Sequence, residues 1–395
     1  MLDDNQKNEV LGLASDLIKA KSYSGCENLV VSVLEDYMTK NGFDDIVVDR
    51  YGSVIGVVEG DRPGPVVLYD GHIDTVEVPD PEKWTHDPFG AEISGGKLYG
   101  RGASDMKGAV AAMVWAAANF KKISRGDFAG TLCVAGVVHE ECFEGIAARE
   151  ISRRFNPDYV IIGEASELNL KIGQRGRAEV VVETFGLPAH SANPDRGINA
   201  VHSMMKLIGE IDKLAPPSHS SLGFGVNVLT DIISTPYPGA SVVPSRCRAT
   251  YDRRLLVGET PESVLAPLKE VVQKLSEADP KFKAAVSLAC GKEKCHTGAI
   301  IEGERFFPGW LFDQNEPFIQ KAFAALKGIG LSPQPAHYSF CTNGSHYAGE
   351  KNIKTFGFGP SRENLAHTID EHIELDQLFS AAAGYQAISD ALLGA

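Results

Sequence analysis

Long apolar stretches are missing from this sequence. Nowhere in its 395 residues do 18 apolar positions run together, so no segment is built to span a membrane as a helix. Positive charge is scarce too: 38 Lys and Arg stand against 52 Asp and Glu, a net charge of −14 that repels nucleic acid and anionic lipid and excludes both as partners. Cysteine is sparse and odd in number. The seven, at 26, 133, 142, 247, 290, 295 and 341, are spread along the chain and read as reduced thiols of a cytoplasmic protein, not a disulfide framework. Cys290 and Cys295 have no second CxxC pair to complete a thiolate metal site. The first residues, MLDDNQKNEV, are acidic where a signal peptide needs a basic start and an apolar stretch. Repeats and low-complexity tracts are absent.

What is present suffices for a large core: 43% of residues are hydrophobic, and the length suits two domains or one enlarged α/β domain. Residues 5–19 and 27–40 carry apolar residues at helical spacing. Short apolar runs follow in IVVDRYGSVIGVV, PVVLYDGHID, TLCVAGVVHEE and DYVIIGEAS, with the Ala-rich helix MKGAVAAMVWAAANF between the second and third. Fully apolar strands separated by helices predict a mostly parallel sheet covered on both faces, a three-layer α/β domain. Near Arg177 the texture changes. Strand AEVVVETFG, a helix over 197–214, strands GVNVLTDIIS and SRCRATYDRRLL, a helix over 261–278 and a strand near 284–288 follow the split βαβ order of a ferredoxin-like α+β sandwich. Helix–strand alternation then resumes with 317–327, TFGFGP and a helix over 375–393. The expected division is a catalytic domain over 1–177 and 299–395, interrupted by an inserted domain over 178–298.

In parallel α/β sheets, ligands gather where the carboxyl ends of strands meet one crevice. Reading those ends in order yields His72 and Asp74 in LYDGHIDTV, Asp105 in GRGASDMKG, Glu140 and Glu141 in VVHEEC and Glu164 in IIGEAS, with a late His367 in ENLAHTID. Two imidazoles with a surplus of carboxylates suit divalent first-row metals, zinc above all. A carboxylate can bridge two ions, and such a pair generates a nucleophile from water near neutral pH. Asp74, two residues beyond His72, points to the same side of an extended segment and would orient that imidazole. Adjacent side chains of a strand diverge, so Glu140 and Glu141 divide the work: Glu141 is assigned to metal and Glu140 to the general base.

The motifs HIDTV, GRGASDMKG, HEE, GEAS and AHTIDE resemble those of the zinc aminoacylase and carboxypeptidase family, which includes acetylornithine deacetylase, succinyl-diaminopimelate desuccinylase, aminoacylase and glutamate carboxypeptidase. The likeness covers nearly the whole chain. It implies His72 and Glu164 on one zinc, Glu141 and His367 on the other, Asp105 bridging, and a cis peptide after Asp105. It gives the inserted domain the part of a lid and dimerisation module, with His190 in GLPAHSA reaching a neighbouring subunit's site to stabilise the oxyanion. Asn227 in GVNVL and Arg254 in YDRRL match positions that bind the substrate's free carboxylate, for which a planar guanidinium fork is suited. Where relatives commonly read Gly-Gly-Thr-Asp-Ala, this chain has CTNGSHYA: Gly344 and Ser345 keep the small substrate-binding residues, while His346 replaces an acid.

Taken singly, His72 could be a satisfied loop histidine and Glu164 a helix-start carboxylate favoured by the dipole; their company favours metal. GRGASD lacks the third glycine of a dinucleotide fingerprint and sets Asp105 where a pyrophosphate would be repelled. Cys142 as a nucleophile helped by His139 lacks a third orienting group. His86, His139 and His202 read as surface or structural, and Arg253 as a salt-bridge partner. The sequence predicts a dimeric two-metal amidohydrolase, with zinc, cobalt or manganese, cleaving an amide beside a free carboxylate. Its substrate is an N-acyl amino acid of the acetyl or succinyl kind; a small-peptide dipeptidase or carboxypeptidase is the alternative, and a metal-binding protein without catalysis the rival from another class.

Overall fold

The apolar runs at 129–137, 62–72 and 159–162 become neighbouring parallel strands, and Lys354–Gly357 adds a fourth. The structure, a computed structural model, describes residues 2–394. It contains two compact units: one formed by the chain up to Gln174, by Lys292–Glu302 and by everything from Trp310 onward, the other by Arg175–Gly291 and Gly303–Gly309. The return to the first unit therefore comes at Lys292, earlier than the expected 299, and 303–309 goes with the second.

The first unit holds a nine-stranded sheet. Its four central strands are parallel, whereas Val54–Glu59 on one flank and Leu170–Gln174 on the other run antiparallel to them, and Asp45–Val48 forms an antiparallel hairpin with Val54–Glu59. The sheet is thus mixed, with its parallel strands at the centre and antiparallel ones toward the edges. The edge hairpin has a local cause: the Asp49 carboxylate accepts the backbone N–H groups of Tyr51, Gly52 and Ser53, and Gly52 takes φ +105°, so the chain doubles back within the run IVVDRYGSVIGVV. Helix Gly108–Ser124 is buried along nearly its whole length, its alanines allowing close approach to Asp4–Lys19 and Leu375–Leu393. Because the central strands share one direction, His72, Val137 and Ile162 all end at the same edge of the sheet, and the loops after them converge.

The second unit is an antiparallel sheet in the order Val226–Thr235, Arg246–Leu255, Gly176–Phe185, Lys283–Leu288, with Phe306–Phe307 beside Gly176–Phe185. Helices Ala200–Ile211 and Pro261–Ala278 supply Met204, Leu207, Val264 and Leu268 to a core shared with Val180, Val182, Ala249 and Tyr251. Period-two alternation turns Arg177, Glu179 and Glu183 to the other face. Chain order and strand order together make the ferredoxin-like sandwich. The first helix begins at Ala200, not 197, because the Asn199 side chain accepts the N–H groups of Val201 and His202 and so fixes its start. Among the described residues, no helix is long and apolar enough to cross a membrane.

Candidate metal centre

His72 closes the strand Arg62–His72 and is 1% exposed. Its Nδ1 lies 2.8 Å from the Asp74 carbonyl oxygen, an acceptor only, so Nδ1 carries a hydrogen and Nε2 is the ring atom left for a metal. Nε2 faces carboxylates, with Asp105 Oδ1 at 2.9 Å and Glu164 Oε1 at 3.4 Å. The second oxygen of Asp105 is 3.1 Å from His367 Nε2, and His367 Nε2 is 3.0 Å from Glu141 Oε1. Asp105 thus offers one oxygen to each histidine, the posture a bridging carboxylate needs. Ligand atoms of His72, Glu140 and Glu164 lie within 4.8 Å of one another, as do those of His72, Asp105 and Glu141. The Asp105–Met106 peptide is cis.

Glu140 and Glu141 do diverge, but not by strand alternation. The strand ends at Val137, and His139 takes φ +57°, so the two glutamates sit in a turn. Asp74 holds this turn: its carboxylate accepts the backbone N–H of Glu140 at 3.0 Å and of Glu141 at 3.3 Å, and the Ser24 hydroxyl at 2.7 Å. Its expected role is therefore split, because the Asp74 carbonyl orients His72 while the carboxylate, 3.7 Å from the ring, orients the glutamate pair.

Electrostatics state what the cluster lacks. Burial pushes the Glu164 carboxyl up to about 8, with the Asp105 charge adding, and burial together with neighbouring Glu164 and Glu144 carries Glu140 well above its ordinary range. Burial works against a charged His72, yet Asp105 and Glu164 hold its pKa well above the usual value; Asp105 and Glu141 carry His367 up to about 10. The carboxylates of Asp105, Glu140, Glu141 and Glu164 crowd a buried space that two imidazoles cannot neutralise. Two divalent ions match that charge and that donor set.

Sequence reasoning missed Glu371. It is fully buried, accepts the N–H groups of Ser104 and Asp105 at 2.9 and 3.0 Å, and pairs with the buried Arg101 at 2.5 Å. It fixes the backbone that aims Asp105. The signal was its place four residues after His367 in the AHTIDE run. Glu371→Gln keeps the shape but leaves Arg101 without its counter-charge, and should weaken metal affinity about 10–100-fold, read by competition with a chromogenic chelator. Unchanged affinity would deny Glu371 this role.

The remaining candidates divide. Gly344 and Ser345 are buried, and a Cβ at Gly344 would meet Trp310 Nε1 at 2.8 Å, so only glycine fits without a shift; the Ser345 hydroxyl has no hydrogen-bond partner among the described residues. His346 gives both ring nitrogens to Ser152 and Glu350 and none to the metal cluster. In the second unit, Asn227 lies opposite Arg253 in the ladder and Arg254 opposite Val226, so Asn227 and Arg254 occupy opposite faces. One chain does not bring those two together around a single carboxylate. Arg254 Nε rests 3.0 Å from Asp252, and Arg253 pairs with Glu259 at 2.5 Å. His190 is exposed, and its Nδ1 accepts the Ala192 N–H at 3.0 Å.

Residues 68–391 match the model of a family described as Peptidase family M20/M25/M40. The uncharacterized protein YgeY of Escherichia coli (strain K12) is 32% identical, over 94% of this chain and 92% of its own length. A succinyl-diaminopimelate desuccinylase of Cereibacter sphaeroides (strain ATCC 17025 / ATH 2.4.3) is 30% identical over 96% of this chain and 97% of its own. Among solved structures, the Bacillus subtilis YXEP protein, a dinuclear metal binding peptidase, superposes with a TM-score of 0.74 at 15% identity, covering 99% of each chain.

Proposed function

Because the chain belongs to peptidase family M20/M25/M40 and is a hydrolase of amide bonds, we propose that it removes an acyl group from the nitrogen of a small amino acid bearing a free carboxylate, with two zinc ions at the cluster. The observation that carries this is the two-faced Asp105, one oxygen on His72 and the other on His367. His72, Glu164 and Asp105 would hold one ion; His367, Glu141 and Asp105 the other. Bound there, the ions would polarise the scissile carbonyl and bring water's pKa toward 7.

The rest falls to the chain's own groups. Glu140 is 7% exposed, and its Oε1 has no hydrogen-bond partner among the described residues, so it is open to take the proton of the attacking water and pass it to the leaving amine. His190, whose Nδ1 accepts, must carry its hydrogen on Nε2 when neutral, the tautomer that can donate to an oxyanion. Arg254 is the candidate for the substrate carboxylate, and Gly344 and Ser345 for its backbone-like part. The desuccinylase of Cereibacter sphaeroides, similar along its whole length, supports acyl-amino-acid chemistry over the dipeptidase reading. A hydrolysis screen with added zinc tests it: turnover of N-succinyl or N-acetyl amino acids should exceed that of dipeptides, and cleavage of dipeptides alone would replace the deacylase reading with the peptidase one.

His190 would serve a second copy's cluster. Val226–Thr235 is a ten-residue edge strand with Val228, Ile232 and Ile233 each about half exposed, and Met205 on the neighbouring helix is 64% exposed. An unpaired apolar edge of this length is a template for another strand. Ile233→Lys should convert a dimer to monomer in sedimentation and reduce deacylation with it; a wild-type monomer with full activity would contradict the shared site.

A further inference from the structure

His346 stands outside the metal chemistry, yet it is 2% exposed and fully engaged. Its Nδ1 lies 2.6 Å from Glu350 Oε2, and its Nε2 lies 2.6 Å from Ser152 Oγ. A carboxylate has no proton to give, so Nδ1 carries a hydrogen, and the tautomer in which the ring can act as a base has the lone pair of Nε2 turned to the serine. The Ser152 hydroxyl has one proton and two acceptors within reach, His346 Nε2 at 2.6 Å and the Arg149 carbonyl at 3.2 Å; the shorter contact takes it. Glu350 is fixed in turn by the Arg149 fork, at 2.6 and 3.2 Å. Although burial opposes its charge, His346 and Arg149 hold Glu350 down to about 2, so it stays an anion at neutral pH. A cavity of about 620 Å³ opens on Ser152, with Arg153, Asn156 and Lys351 on its walls.

A hydroxyl hydrogen-bonded to an imidazole, itself oriented by a carboxylate that Arg149 fixes in place, is the arrangement that activates serine, and it is identified by geometry, not by fold or sequence order. We propose that Ser152, His346 and Glu350 form a second, metal-independent nucleophilic site for small esters that carry a negative charge. Ser152 Oγ attacks the ester carbonyl carbon while its proton passes to His346 Nε2. The carbon–alkoxide bond then breaks, and the alcohol leaves with that proton, giving an acyl-serine. Water attacks the acyl carbon, its proton again going to His346, and the acid departs as Ser152 regains its hydrogen. Lys351 and Arg153, the latter paired with Glu150 on its own helix, line the cavity and favour an anionic ester. Ser152 lies inside helix Ile146–Phe155, whose N–H groups serve the helix, so no backbone oxyanion hole is on hand and turnover should be slow enough for the acyl-serine to accumulate.

The test uses the intact metal-loaded enzyme and a fluorophosphonate probe, followed by peptide mass spectrometry. The expected result is a single adduct on Ser152 that persists after chelation of the metals. Ser152→Ala should abolish the adduct and lower chelator-resistant hydrolysis of a carboxylated nitrophenyl ester at least tenfold, while N-acyl amino acid hydrolysis persists. His346→Asn should behave likewise. An unlabelled Ser152, or ester hydrolysis that survives Ser152→Ala, would overturn the proposal without touching the metal-centre reading.

Discussion

Replacing Glu140 with Gln lowers kcat about 10²–10⁴-fold while both ions stay bound. The substitution keeps the volume and the backbone N–H that Asp74 holds, and removes only the ability to accept a proton. The distinction matters because a carboxylate oxygen of Glu140 lies within 4.8 Å of the ligand atoms of His72 and Glu164. As a base, Glu140 can be lost without loss of metal; as a ligand, it cannot. Metal analysis of the purified variant beside its kinetics separates the two, and a variant that loses an ion along with activity would move Glu140 from base to ligand.

The second large effect belongs to Asp105. Asp105→Ala removes the carboxylate that sets one oxygen against each histidine, so both ions should be weakened together, by more than the roughly 10–100-fold that a supporting residue costs. Calorimetric titration with zinc should show the high-affinity binding of two ions collapse in this variant. Loss of one ion alone, with the other unperturbed, would mean that Asp105 serves a single site.

These residues were legible before the fold was known because parallel strands are apolar throughout, which leaves polar side chains at their ends conspicuous: His72, Glu140, Glu141 and Glu164 all fall within a few residues of a strand terminus. What the pattern could not convey was the turn geometry. The positive φ of His139 makes Glu140 and Glu141 diverge, and no periodicity announces it. Glu371 escaped because its partners, the N–H groups of Ser104 and Asp105, are some 266 residues away in the chain and are backbone atoms with no sequence signature. His346 stood out as a departure from the family pattern, but its partner Ser152 is 194 residues distant, so its role waited on the structure. That Asn227 and Arg254 present opposite faces escaped for a different reason. Both sit on strands, and which face each presents depends on a register, Asn227 opposite Arg253, that neither strand's own sequence specifies.

Five side chains, His72, Asp105, Glu141, Glu164 and His367, would form the two-ion cage, with Asp105 at its middle. Anomalous diffraction from crystals of the zinc-loaded protein tests it most directly. The expected map has two zinc peaks roughly 3.5–4 Å apart, one against His72 and Glu164, the other against Glu141 and His367, with Asp105 touching both. A single peak, or peaks lying away from Asp105, would contradict it.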